Sequence, residues 1–134
     1  MAIKEYDPRD VSVIVDGHIV TGLGDGTFVQ VEKSEENYET YVGAQGEITR
    51  ARNANPLGQI TVTLQNTSPT NAILNRLAKS KGTFAARVVD RNTGKLTAGG
   101  SECWFEKPAN REWGEETSEI EWTIIVGDYD ITEG

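Results

Sequence analysis

The chain has 134 residues, enough for one hydrophobic core and short for two. Its 13 basic and 21 acidic side chains leave a formal charge of −8. That balance argues against binding nucleic acid or an anionic membrane through a basic surface. One cysteine, Cys103, allows no internal disulfide, and one histidine, His18, allows no multi-histidine metal site. No apolar run exceeds that of Ile124 to Val126, and Met1 to Asp7 lacks a leader-like apolar stretch. The expectation is a chain without a membrane span or a secretion route, cytosolic at synthesis.

Val, Ile and Thr together number 35, against 6 Leu and 1 Met. Branched residues in such excess favour pleated, half-buried strands. Val11, Val13 and Val15 share one face of a first strand, and Asp16-Gly17 supplies a tight turn to a return strand at 18–20. A glycine-rich turn, Gly22 to Gly26, precedes a strand at 27–33. Residues 38–42 and 47–52 read as two strands around Gly43-Ala44-Gln45-Gly46, and Asn53-Ala54-Asn55-Pro56 breaks the pattern. Residues 58–65 alternate cleanly, with Ile60, Val62 and Leu64 on one face and Thr61, Thr63 and Gln65 on the other.

The spacing predicts one helix over about 69–81, with Ser68 as N-cap, Pro69 at the first position and Gly82 as a left-handed C-cap. Ile73, Leu74 and Leu77 form its apolar stripe, and Lys79 and Lys81 suit its negative end. Strands follow at 83–91, 95–98, 102–107 and 118–126, with a turn at Asn92-Thr93-Gly94 and a split at Gly99-Gly100. In the last strand Ile120, Trp122, Ile124 and Val126 oppose Glu119, Glu121 and Thr123. The expected fold is mainly β, a single-domain barrel or sandwich of about eight strands with one flanking helix.

No constellation for catalysis emerges, so no enzyme and no cofactor or metal is expected. Gly22-x-Gly24-x-Gly26 leads into a strand, whereas a phosphate loop must open a helix. His18 has no nucleophile motif beside it and reads as structural. Cys103, between Glu102 and Trp104, reads as a small buried hydrophobe. Asp128-x-Asp130 lacks the distal ligand of a calcium loop, and the abundant carboxylates read as a solvated acidic rim.

Charge is segregated along the chain. Residues 1–75 carry 5 basic and 10 acidic groups, residues 76–101 carry 6 and 1, and residues 102–134 carry 2 and 10. The local balances of −5, +5 and −8 suit either solvated faces or a positive patch on one copy meeting a negative patch on the next.

Ala2 to Val15, Gly22 to Val29, Val42 to Arg50, Gly58 to Asn71 and Glu121 to Ile124 together resemble a family of bacteriophage tail tube proteins. The likeness runs, in order and spacing, over nearly the whole chain. It implies a structural virion protein of a contractile tail, assembled in the host bacterial cytoplasm. Copies of such proteins form rings, typically hexameric, that stack into a hollow tube inside a sheath, and DNA passes through without being held. Implied partners are further copies of the chain, the tail sheath, baseplate and tail terminator proteins. Tubes of tailocins and type VI secretion machines share the plan.

On that reading the stretch 42–58, without aromatic residues, is expected to be an intersubunit arm. Interface candidates are Arg50, Arg52, Asn53, Asn55 and Trp113, with the two arginines meeting acids between Glu112 and Glu121 of a neighbour. Lumen candidates are Gln30, Glu32, Thr61, Thr63, Glu119 and Glu121, each alternating with core residues. The competing class is a free-standing β-sandwich binding module, of carbohydrate or adhesin type, using Trp104, Trp113 or Trp122 as a stacking platform.

Overall fold

The structure, a computed structural model, describes residues 5–92 and 95–133. Residues 1–4 of the resemblance and Thr93 and Gly94 of the expected turn lie outside the described residues. A short 3-10 turn, Pro8–Asp10, leads into β1 (Val11–Val15) and β2 (His18–Ile19). Asp16 and Gly17 both take positive φ, 51° and 79°, the backbone that a two-residue hairpin turn requires. Then come β3 (Val29–Lys33), β4 (Tyr38–Val42), β5 (Ile48–Arg52), β6 (Gly58–Gln65), α1 (Thr70–Lys79), β7 (Phe84–Asp90), β8 (Leu96–Trp104), β9 (Glu119–Val126) and β10 (Asp130–Glu133).

Eight strands form one antiparallel sheet in the order β2-β1-β7-β8-β9-β6-β3, with β10 paired to β8. The chain after β2 then returns to the far half of β6. Leu23 bridges Leu64, Gly24 N–H donates to Thr63 O at 2.8 Å, and Gln65 N–H donates to Gly22 O at 2.8 Å. The sheet thus curls into a barrel around one core, in which Val13, Val15, Ile60, Leu64, Trp122 and Ile124 are fully buried. The alternation read at 58–65 and 119–126 is the alternation of buried and open side chains observed in β6 and β9.

The helix lies across one end of the barrel, fastened by a buried polar network. Ser68 Oγ donates to Thr21 O at 2.6 Å and accepts from Thr70 N–H at 3.2 Å. Asn71 Nδ2 donates to Gln65 O and Ser68 O, and its Oδ1 accepts from Trp122 Nε1 at 2.9 Å. Leu74 completes the contact with the core. At the other end the expected left-handed cap at Gly82 is replaced. Ser80 caps in an extended conformation, its N–H and Oγ both donating to Leu77 O, so the helix stops before the glycine is reached.

Two other boundaries differ from expectation. Residues 95–107 do not split at Gly99-Gly100, because β8 runs through as one bent strand. Gly99 takes φ +135°, and a Cβ there would collide with the Ala86 carbonyl, so glycine here bends a strand without ending it. A tenth strand, β10, went unread because Asp130–Glu133 is exposed along its whole length and carries no alternation.

The β9–β10 corner is held by Asp128, which is more than a member of the expected solvated rim. Its Oδ1 accepts from Glu102 N–H at 3.0 Å, and its Oδ2 from Ser101 N–H at 3.1 Å and Ser101 Oγ at 2.8 Å. The Glu102 N–H, with desolvation opposing and the Ser101 donors adding, holds the carboxyl below its ordinary value. A carboxyl lowered on folding stabilises fully above the unfolded value of about 4 and loses that contribution as pH falls through the lower folded value. Asp128→Ala is therefore expected to cost about 1 kcal/mol at neutral pH, the group being largely solvated. Urea titrations should show that cost shrinking below pH about 4; a cost that does not change with pH would contradict the assignment.

Candidate assembly surfaces

The register places all six expected lumen residues on one continuous outer face of β3, β6 and β9. Gln30 pairs with Thr61, which pairs with Thr123; Glu32 pairs with Gln59, which pairs with Ile125. Thr63 pairs with Glu121, and Gln65 with Glu119. Directly opposed residues share a face, so these rows run side by side across the sheet. The strands supply three carboxylates to this face, from Glu32, Glu119 and Glu121, and no lysine or arginine. Residues 106–110 and Glu112 line one side of the face and enclose with β9 a groove of about 670 Å³. Lys107 is the one cation of that lining, against Glu106, Glu112, Glu119 and Glu121.

Glu119 is also structural. Its Oε2 accepts from Asp25 N–H at 3.1 Å, and a Cβ on Gly24 would collide with it. This explains the glycine-rich turn as a close approach of backbone to side chain and not as a phosphate cradle.

The expected pair of strands around Gly43–Gly46 exists as a separate two-stranded hairpin, β4 and β5, which among the described residues pair only with each other. Every residue of both strands is exposed. Tyr38 opposes Arg52, Thr40 opposes Arg50 and Val42 opposes Ile48, so these six form one face. Val42 and Ile48 are 62% and 73% exposed. Arg50 stacks over the Tyr38 ring at 4.2 Å from its centroid. The projecting hairpin therefore starts earlier than residue 42, includes Tyr38 and Tyr41, and ends before Gly58, which is buried against Tyr129.

Asn53 and Asn55 shape the hairpin base. Asn53 Nδ2 donates to Glu35 Oε2 at 2.7 Å, Asn53 Oδ1 accepts from Asn55 N–H at 2.9 Å, and Asn55 Oδ1 accepts from Leu57 N–H at 3.0 Å. These are local turns made by side chains, the usual work of asparagine in such a run. Sequence reading missed this use, although the Asn-x-Asn-Pro spacing signals it.

The three tryptophans separate clearly. Trp122 is fully buried, edge-on to Phe105 at 5.4 Å, and Trp104 is half-buried beside Gly127. Trp113 is 86% exposed. It sits in an exposed acidic stretch with Glu112, Glu115 and Glu116, tied down where Ser118 Oγ donates to the Glu112 carbonyl at 2.9 Å. His18 meets the Thr70 hydroxyl at 3.2 Å, and Cys103 is enclosed in the core, where burial raises its thiol pKa. Among the described residues the only ion pair joins Arg9 and Asp7, so the segregated charges are not neutralised within the subunit.

A bacteriophage PhiTE tail tube protein family model matches residues 11–134. The chain belongs to that tail tube family. A curated relative from Pseudomonas phage KPP10, described as "Structural protein ORF10", is 25% identical over 133 residues, covering 90% of this chain and 77% of that protein. Among solved structures, the anti-feeding prophage cap, a tube-terminating cap, superposes with a TM-score of 0.62 at 10% identity, covering 100% of this chain and 95% of that one. That likeness concerns the fold. The tail tube chain is a structural component of a phage tail, and hence of the virion.

Proposed function

We propose that the chain polymerises as stacked hexameric rings into the inner tube of a contractile tail, a conduit for DNA. The observation that carries this reading, beside the family, is the outer face of β3, β6 and β9, with carboxylates from β3 and β9, threonines and glutamines from β6, and no cation on that face from those strands. A conduit must stay wet without binding its cargo. Carboxylates and threonines meet both demands, and lysines would violate the second. Gln30, Glu32, Thr61, Thr63, Glu119 and Glu121 then line the lumen. Arg50, Arg52 and Trp113 lie between subunits, with Asn53 and Asn55 setting the base of the intersubunit arm. The sheath surrounds the assembled tube, the baseplate and terminator close its ends, and assembly takes place in the host cytoplasm.

Tailocin and secretion-type tubes would present the same geometry. The binding-module reading retains one solvent-facing tryptophan, Trp113, because Trp122 is fully buried and Trp104 half-buried. Sedimentation velocity across a range of concentration separates the classes. Rings or longer species support the tube, and a monomer at every concentration and salt would contradict it.

A further inference from the structure

The hairpin and the acidic Trp113 stretch stand at opposite ends of the barrel. The hairpin is inserted between Lys33 and Gly58, which oppose each other at one end of the β3–β6 ladder, and Gly58 opposes Val126. The acidic stretch ends at Ser118, whose carbonyl accepts from Asn66 N–H beside the Gln65–Glu119 pair at the other end. The eight residues of β6 separate these ends by about 25 Å. We infer that the Tyr38-Val42-Ile48-Arg50-Arg52 face of one copy docks on the Glu112–Glu116 stretch of the next copy, with Trp113 against its apolar part. The inference rests on the tube reading and names the surfaces that carry its stacking.

Complementarity selects the occupant. The hairpin face offers two guanidiniums and two exposed aliphatic side chains, and none of its six residues is acidic. The opposite stretch offers three carboxylates and an exposed indole. Neither set forms an ion pair within the subunit among the described residues, and the Arg50 stack on Tyr38 stays within the hairpin face. A strongly exposed Val42–Ile48 pair is a poor solvent surface and a good interface centre, and Arg and Trp are the residue types that dominate such centres. Because the two surfaces differ and lie at opposite ends, the contact is heterologous. It repeats without closing on a pair and propagates along the strand direction.

Two charge-swapped full-length chains test this. Arg50→Glu with Arg52→Glu makes both surfaces acidic, and Glu115→Arg with Glu116→Arg makes both basic. Each alone should require about tenfold or more protein to assemble, because like charges then face each other. Their mixture should assemble as readily as the unaltered protein, since every contact can again be opposite in sign. Circular dichroism on each variant confirms that the barrel is folded. Normal assembly of either variant alone, or a mixture that stays unassembled while both are folded, overturns the docking. A symmetric hairpin-to-hairpin contact would instead leave the glutamate-to-arginine variant assembling alone. Failure of the unaltered protein to assemble under any condition would sink the tube reading itself, and that control distinguishes the two.

Discussion

Trp122→Ala is expected to cost about 3–5 kcal/mol of folding stability and to lower the melting temperature by about 10 °C or more. The ring is fully buried among the side chains of β6 and β9, packed edge-on against Phe105. Truncation leaves a cavity too large for neighbouring strands to fill. It also removes the N–H that satisfies Asn71 Oδ1, leaving an acceptor at the base of α1 buried without a partner. The helix is held to the barrel through that same asparagine, so its docking should loosen with the core. Trp122→Phe retains most of the volume and loses the hydrogen bond, and should cost about 1–2 kcal/mol. Thermal unfolding followed by near-ultraviolet dichroism checks both. Equal costs for Ala and Phe would show that the hydrogen bond, and not the packing, carries the effect.

The second large effect concerns cargo. Tubes carrying Glu32→Lys or Glu121→Lys should retain DNA that unaltered tubes release. Neither carboxylate forms an ion pair within the subunit among the described residues, so reversal need not unfold the barrel. Glu119→Lys is the less clean variant, because Glu119 also accepts from the Asp25 N–H. In a ring one substitution is repeated in every copy, so each places a circle of cations at one height. Screening limits the reach of each charge to about 8 Å at physiological salt, so only side chains close to the DNA have an effect. Retention should weaken steeply as salt rises, as counterion release demands. The measurement is retention of labelled DNA by assembled tubes across a salt series. If both variants assemble and neither retains DNA, the β3–β6–β9 face is on the outside of the tube.

Much of this was legible in the residues, for identifiable reasons. Strands with one face in the core announce themselves by period-two alternation, as β6 and β9 do. The β1–β2 turn is legible because Asp-Gly suits two successive positive φ angles. Three features were hidden for equally physical reasons. Strand β10 is exposed throughout, so no alternation marks it. The Asp128 corner joins residues 26 and 27 positions apart, a long-range use of a carboxylate that local pattern cannot reveal. Gly99 looks like a strand break because a local reading cannot see the Ala86 carbonyl that approaches it across the sheet. The lumen candidates were found as alternating sets on three separate strands; that they form one surface depends on register, which alternation leaves open.

Negative-stain electron microscopy of the purified full-length chain tests self-assembly most directly. The account predicts rings with an open centre, alone or stacked into rods of constant width. Compact monomers at high concentration, with neither rings nor rods at any salt, would contradict it.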